Sequence, residues 1–177
     1  MFRRPLRRAL IGNIPPALQR ANQLMAAGKY AEAAEIFEQF ARGAQARNGP
    51  RAPWFFLEAG QARLQAGQPV VALAHFQQGL SIFAARGQVQ KLYNSGMRVI
   101  TALKAHNLPG EAAKIEEYLK TALPAGFRGG AAAGAQKPRV LPTACPGCGG
   151  PLRSDEVEWA DELTAECPYC GSAIRAE

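Results

Sequence analysis

The stretch GKYAEA at Gly28–Ala33, followed by Phe37, returns 39 residues later as GQPVVA at Gly67–Ala72, followed by Phe76. A fainter third copy begins at Asn107 and has two successive alanines in the small-residue positions. Small residues let two helices cross closely, and an aromatic side chain one turn later packs beside the crossing. The repeat therefore predicts three stacked helix hairpins.

Helix-favouring residues fill the chain between Pro16 and Leu123, with apolar positions three and four residues apart. Five sets of turn residues interrupt this segment, namely Gly28, Asn48-Gly49-Pro50, Gly67, Gly87 and Asn107-Leu108-Pro109. We therefore expect six helices of about 12–18 residues, joined by short turns into antiparallel pairs. The predicted fold class is mainly α, with a helical array over residues 14–123.

The array resembles the tetratricopeptide repeat, whose inter-helix turn is typically Gly-x-Tyr-x-x-Ala with an aromatic residue four positions later. The first copy fits this pattern, the second fits in part and the third weakly. The period is nearer 40 than 34 and the usual closing proline is missing, which implies longer helices or longer joints. The resemblance implies a non-enzymatic protein whose first helices line a concave surface for a protein segment.

Six side chains on these first helices are the candidate partner-binding residues that the resemblance implies. They are Asn22, Met25, Gln61, Arg63, Thr101 and Lys104. Arg98, together with Arg63, adds positive potential for an acidic ligand. The apolar residues Leu57, Leu64 and Met97 lie on the same helices, and we expect them in the core. Since Trp54-Phe55-Phe56 cannot all face inward on one helix, we expect at least one of these rings to be exposed or to lie under the linker.

The tail, residues 145–177, contains the motifs CPGCG at Cys145–Gly149 and CPYCG at Cys167–Gly171. Their four cysteines, Cys145, Cys148, Cys167 and Cys170, are all the cysteines in the chain. Two C-x2-C pairs can close a tetrahedral shell around one Zn²⁺ at about 2.3 Å per bond. The glycine after each second cysteine can adopt the positive φ that the turn needs. Alternating apolar residues around a turn at 160–162 predict a β-hairpin between the motifs.

The tail resembles a zinc ribbon, in which two CPxCG knuckles flank a short β-hairpin, from Cys145 to about Ile174. A four-cysteine shell leaves no open coordination position and is typical of a structural metal. Fe in a rubredoxin-like electron carrier is the alternative metal, and a disulfide is a further alternative that needs an oxidising compartment. A rubrerythrin-like di-iron site is excluded, because the residues three positions before His75 and His106 are Ala72 and Leu103.

Charge is distributed unevenly along the chain, whose net charge is +7. The helical segment 13–123 has 12 basic and seven acidic side chains, whereas the tail has two arginines and seven acids, or a net charge of −5. Six acids lie between the knuckles: Asp155, Glu156, Glu158, Asp161, Glu162 and Glu166. They disfavour nucleic acid as the ligand of the tail, because a phosphate backbone would be repelled. They favour a basic protein surface, belonging either to a partner or to the chain's own helices.

The remaining segments are a basic N-terminal arm over 1–13 and a Gly-, Ala- and Pro-rich linker over 124–144. The arm has four arginines but no sufficient apolar run, so we expect a cytoplasmic chain without a signal peptide or transmembrane segment. Weak contact of this arm with a membrane surface stays open. The linker composition predicts a flexible tether with a span of about 25 Å. Such a tether would let the acidic tail reach the helical array and compete there with partners.

Catalytic motifs are not found in the sequence, and the two histidines stand alone on their predicted helices. We therefore expect no enzyme. The favoured function is a protein–protein interaction adaptor, in which the array binds a protein segment and the acidic tail docks on a second surface. The alternatives are a nucleic-acid- or ribosome-associated zinc-ribbon factor and a rubredoxin-like electron carrier.

Overall fold

The computed structural model describes residues 14–127, 129 and 140–176. Its six helices are α1 Pro16–Ala26, α2 Tyr30–Ala46, α3 Ala52–Gln65, α4 Pro69–Ala85, α5 Val89–Ala105 and α6 Pro109–Ala122. An antiparallel sheet of order β1-β2-β3 follows, formed by β1 Glu158–Trp159, β2 Thr164–Glu166 and β3 Ala173–Arg175. The predicted mainly helical fold with six helices and a small C-terminal antiparallel sheet is confirmed.

Two of the predicted segments lie wholly or partly outside the described residues. The basic arm over 1–13 lies outside the described residues, as do residue 128 and residues 130–139 of the predicted linker. Over the ranges that are described, the helices are all too short or too polar to cross a membrane.

Five left-handed residues end the helices at the predicted breaks. Gly28, Gly67 and Gly87 have φ values of +73°, +72° and +65°, and Asn48 and Asn107 have +50° and +58°. At all five ends the next amide donates to a carbonyl five residues back, as Lys29 N does to Leu24 O at 2.9 Å. Asparagine tolerates this conformation better than other residues with a Cβ. Asn48 and Asn107 therefore do locally what glycine does at the other turns.

The repeated small residues lie where consecutive helices cross. Ala33, Ala72 and Ala112 have no exposed surface, and Phe37 and Phe76 are buried beside the first two. Each helix packs on the next one along the chain, with the closest packing between α2 and α3 and between α3 and α4. Helix α3 is therefore the central element of the array.

All three rings of Trp54-Phe55-Phe56 are buried, at 5%, 5% and 6% exposure. We expected at least one ring to be exposed or covered by the linker, but α3 has packing partners on every side. Trp54 lies edge-on to Phe83 of α4 with 4.9 Å between ring centroids, and Phe56 lies 6.1 Å from the ring of His75. Phe55 is covered by the tail, as the next section shows.

Replacing Gly60 by alanine will test the close crossing of α3 and α4. The added methyl would lie 2.6 Å from two ring carbons of Phe76 and 3.1 Å from the carbonyl oxygen of Ala72. We expect Gly60→Ala to lower the free energy of unfolding by about 1–3 kcal/mol, measured by denaturant titration.

Gly43→Ala is the matched control, because its methyl meets only the Arg47 guanidinium, at 3.6 Å. Removing a glycine from inside α2 should raise stability by about 0.5–1 kcal/mol. Equal effects of the two substitutions would contradict the crossing geometry.

Candidate metal centre and the cavity beside it

The two knuckles have the same backbone geometry. Cys145 N donates to Gly150 O at 2.8 Å, and Cys167 N donates to Ser172 O at 2.9 Å. The glycine after the second cysteine of each knuckle has positive φ, +76° at Gly149 and +78° at Gly171, as the sequence predicts. Each turn thereby points its two sulfurs toward the other knuckle.

Sulfur spacing in the cluster fits a tetrahedral metal site. Cys145 Sγ lies 3.7 Å from Cys170 Sγ, Cys148 Sγ lies 3.9 Å from Cys167 Sγ, and all four sulfurs are within 4.8 Å of one another. A tetrahedron with bonds of about 2.3 Å has its corners about 3.8 Å apart. These separations are much longer than an S–S bond of about 2.05 Å, so the cysteines are free thiols suited to hold a metal ion.

The thiols influence one another strongly. Hydrogen bonding with Cys167 and Cys170, together with burial, raises the pKa of Cys148. Hydrogen bonds from Cys148 and Cys167 lower the pKa of Cys170. The four thiols therefore interact at close range, and a bound cation would allow all four to be thiolates.

Side chains of helix α1 donate hydrogen bonds to the backbone of the first knuckle. The side-chain amide of Asn22 donates to the carbonyl oxygen of Cys148 at 2.9 Å, and that of Gln19 donates to Gly147 O at 2.8 Å. Both acceptors belong to the turn that presents the sulfurs. The helical array and the metal-binding turn are therefore in direct contact.

The second knuckle contacts the array through Tyr169, which lies between Cys167 and Cys170. Its ring packs 6.5 Å, centroid to centroid, from Phe55, and its hydroxyl donates to Glu58 Oε1 at 2.8 Å. The ring is 4% exposed. Burial raises the pKa of Glu58 from its ordinary value of 4.5 to about 7, and the charge of Glu156 adds to this effect.

Ion pairs complete the contact between the tail and the array. Arg98 of α5 pairs with Asp155 at 2.7 Å and also with Glu156. Lys91 of α5 pairs with Glu158 at 2.9 Å, and Arg51, just before α3, pairs with Glu166 at 3.0 Å. Four of the six acids between the knuckles therefore lie against the chain's own basic surface, one of the two docking surfaces that the sequence left open.

A cavity of about 730 Å³ lies between the tail and helices α1, α3 and α5. Four of the six candidate partner-binding residues line this central cavity: Asn22, Met25, Gln61 and Thr101. Its walls also include Leu57, which is half-buried, and Met97, which is 43% exposed and not in the core as expected. Leu64, by contrast, is buried as expected.

The other two candidates, Arg63 and Lys104, point elsewhere. Arg63 Nε donates to Glu38 Oε1 of α2 at 2.6 Å, and Lys104 pairs with the exposed Glu116 of α6 at 2.7 Å. His75 also contacts Glu38 Oε1, at 3.0 Å, whereas His106 is exposed. Burial acts to raise the pKa of Glu38, but hydrogen bonds from Arg63 and His75 outweigh it and lower the pKa.

Sequence reasoning did not single out Glu58 or Tyr169 as site residues. A lone glutamate in an apolar helical segment and a tyrosine inside a CPxCG knuckle were the available signals. Comparison of the chain with protein-family models, with curated proteins and with solved structures found no match.

Replacing Cys148 by serine will test the metal centre, because it removes one of the four sulfurs. We expect the starting chain to retain one metal ion after exhaustive dialysis and the variant to lose it. Elemental analysis gives the metal content, and near-ultraviolet circular dichroism reports the loss of packing around Tyr169. A bound ion would supply most of the folding free energy of so small a unit.

The control is Pro146→Ala, a change at an exposed residue of the same knuckle that keeps all the sulfurs. It should retain the metal. Equal metal retention by Cys148→Ser would contradict a four-sulfur site.

Replacing Glu58 by glutamine will test the raised pKa of this half-buried carboxyl. Because folding raises this pKa, Glu58 contributes stability that is complete below pH 4.5 and is lost as pH rises through about 7. The total stability contributed by Glu58 is about 3 kcal/mol, of which about 1 kcal/mol is lost between pH 6 and 8.5.

Glutamine keeps an acceptor for Tyr169 but does not ionise. We therefore expect the stability of Glu58→Gln relative to the starting chain to increase by about 1 kcal/mol over that interval. Denaturant titrations of the metal-loaded proteins measure it. If the free energies of unfolding of the two chains change in parallel with pH, folding does not raise the pKa of Glu58.

Proposed function

We propose that this chain is a non-enzymatic protein–protein interaction adaptor, in which a tetratricopeptide-like array and a zinc ribbon together form a groove for a protein segment. The central cavity is the observation that carries this proposal. Asn22, Met25, Gln61 and Thr101 were chosen from the sequence as groove residues, and all four line one cavity. The tail forms the opposite wall.

The chemistry of the cavity walls suits a peptide better than a small polar metabolite. Trp54, Leu57 and Met97 supply apolar surface, and Gln61 supplies an amide that can pair with a peptide backbone. Its volume of about 730 Å³ is large enough for several side chains. The protein segment is therefore proposed to lie across α1, α3 and α5.

Zinc is the metal we propose for the four-cysteine cluster, with iron as the alternative. The resemblance to zinc ribbons, the tetrahedral sulfur spacing and the closed shell all support a structural ion. When bound, the ion supplies the charge that holds four thiolates together. Elemental analysis and a visible spectrum distinguish the two metals, because iron–thiolate centres are coloured.

A cytoplasmic location accords with this chemistry. Four free thiols this close together would be exposed to disulfide formation in an oxidising compartment, whereas a reducing one preserves them for metal binding. Reduced cysteines and bound metal in protein isolated from native cells are the expected result.

Peptide binding to the metal-loaded chain tests the proposed function. Peptides selected from a random display library should bind the starting chain and lose affinity by about tenfold or more in Thr101→Trp, because the indole would fill the cavity. Fluorescence polarisation measures the affinity across a salt series. Retained affinity in Thr101→Trp would contradict the groove.

Thr121→Trp provides the control, since Thr121 is equally exposed but lies on α6. It should bind the peptides as the starting chain does. The salt series separates the alternative function, because affinity for nucleic acid falls steeply with salt. Binding of nucleic acid in place of peptides would favour that alternative.

A further inference from the structure

Three basic side chains of the array, Arg51, Lys91 and Arg98, are paired with carboxylates of the tail. Arg98 pairs with Asp155 through Nη1 and with Glu156 through Nη2. Lys91, which precedes Arg98 in α5, pairs with Glu158. Arg98 also lines the central cavity, together with Arg153, Glu58 and Glu156. An acidic group that entered the cavity would therefore meet Arg98 and its present partners.

Glu156 is poorly satisfied where it is. Its side chain is 3% exposed, and one carboxylate oxygen contacts Arg98 and also Arg153 at 3.2 Å. The other oxygen, Oε2, has no hydrogen-bond partner among the described residues. A buried acceptor without a donor destabilises the fold, and more so when it carries charge. The docked tail therefore holds Arg98 at a cost that a better ligand would avoid.

A ligand from outside the chain must compete with a tethered group. Tethering gives the tail an effective concentration of the order of millimolar, which lowers the apparent affinity of any competitor. The unpaired oxygen of Glu156 raises the apparent affinity of a competitor, because undocking of the tail returns this carboxylate to water.

We propose that the ligand of the central cavity is an acidic protein segment, whose carboxylates displace Asp155 and Glu156 from Arg98. This inference rests on the proposed function and specifies its partner. The tail then imitates the ligand within the chain, with the spacing Asp-Glu-x-Glu at 155–158 marking the carboxylates that the array accepts. Charge complementarity supports it, since the helical segment is net positive and the tail net negative.

A labelled peptide copy of residues 154–160, Ser-Asp-Glu-Val-Glu-Trp-Ala, is the probe. Fluorescence polarisation measures its binding to the metal-loaded full chain and to the Asp155→Asn/Glu156→Gln double variant. Because the variant weakens the internal competitor, we expect it to bind the peptide at least about tenfold more tightly than the starting chain. A peptide with Asn and Gln in place of its acids should bind neither chain.

The Asp161→Asn/Glu162→Gln variant is the matched control. It removes the same two charges from exposed positions in the hairpin turn, so its affinity should equal that of the starting chain. Since Glu156 is buried, Asp155→Asn alone gives a second test with a smaller gain in the same direction. Adding Arg98→Gln to the double variant should abolish the gain.

Equal affinities of the Asp155/Glu156 and Asp161/Glu162 variants, with metal content and circular dichroism intact, would overturn the inference. If library peptides bind in the cavity regardless of their acidity, the proposed function survives and this inference fails. If no peptide of any composition binds, both fail.

Discussion

The contact of Tyr169 with Phe55 and Glu58 joins the two parts of the molecule. Tyr169 lies between two of the four cysteines, so the turn that presents the sulfurs also presents the ring. Its burial against α3 depends on the knuckle having formed, and the position of the knuckle depends in turn on α1, whose Asn22 and Gln19 hold its carbonyls. Binding of a metal ion at the knuckles would therefore be coupled to docking of the tail.

Charges around this contact set how firmly the tail is held. The exposed pairs of Lys91 and Arg51 contribute little each, because water and salt screen them. Arg98 with Glu156 is more buried, and breaking one partner alone would leave an uncompensated charge. Burial of Glu58 and the orphan oxygen of Glu156 oppose docking. The ion pairs and the Tyr169 contact therefore define the geometry of the interface, and the two glutamates limit its net strength.

Local signals in the sequence predicted the local structure well. Glycine and asparagine at the helix ends, and glycine in the knuckles, are fixed by backbone conformation within a few residues, and these positions were found. Long-range contacts were not predictable in the same way. Nothing near Trp54-Phe55-Phe56 shows that the tail covers α3, and nothing near Arg63 shows that Glu38 pairs with it. The strand after the second knuckle, Ala173–Arg175, pairs with β2 and was not predicted from the sequence.

In the free chain the tail packs against helices α1, α3 and α5 of the array. Nuclear Overhauser contacts between the ring protons of Phe55 and Tyr169, 114 positions apart in sequence, test it most directly. The account predicts these contacts in the metal-loaded protein and their loss when the metal is removed. Their absence from a metal-loaded chain whose helices and knuckles are both folded would contradict the docked arrangement.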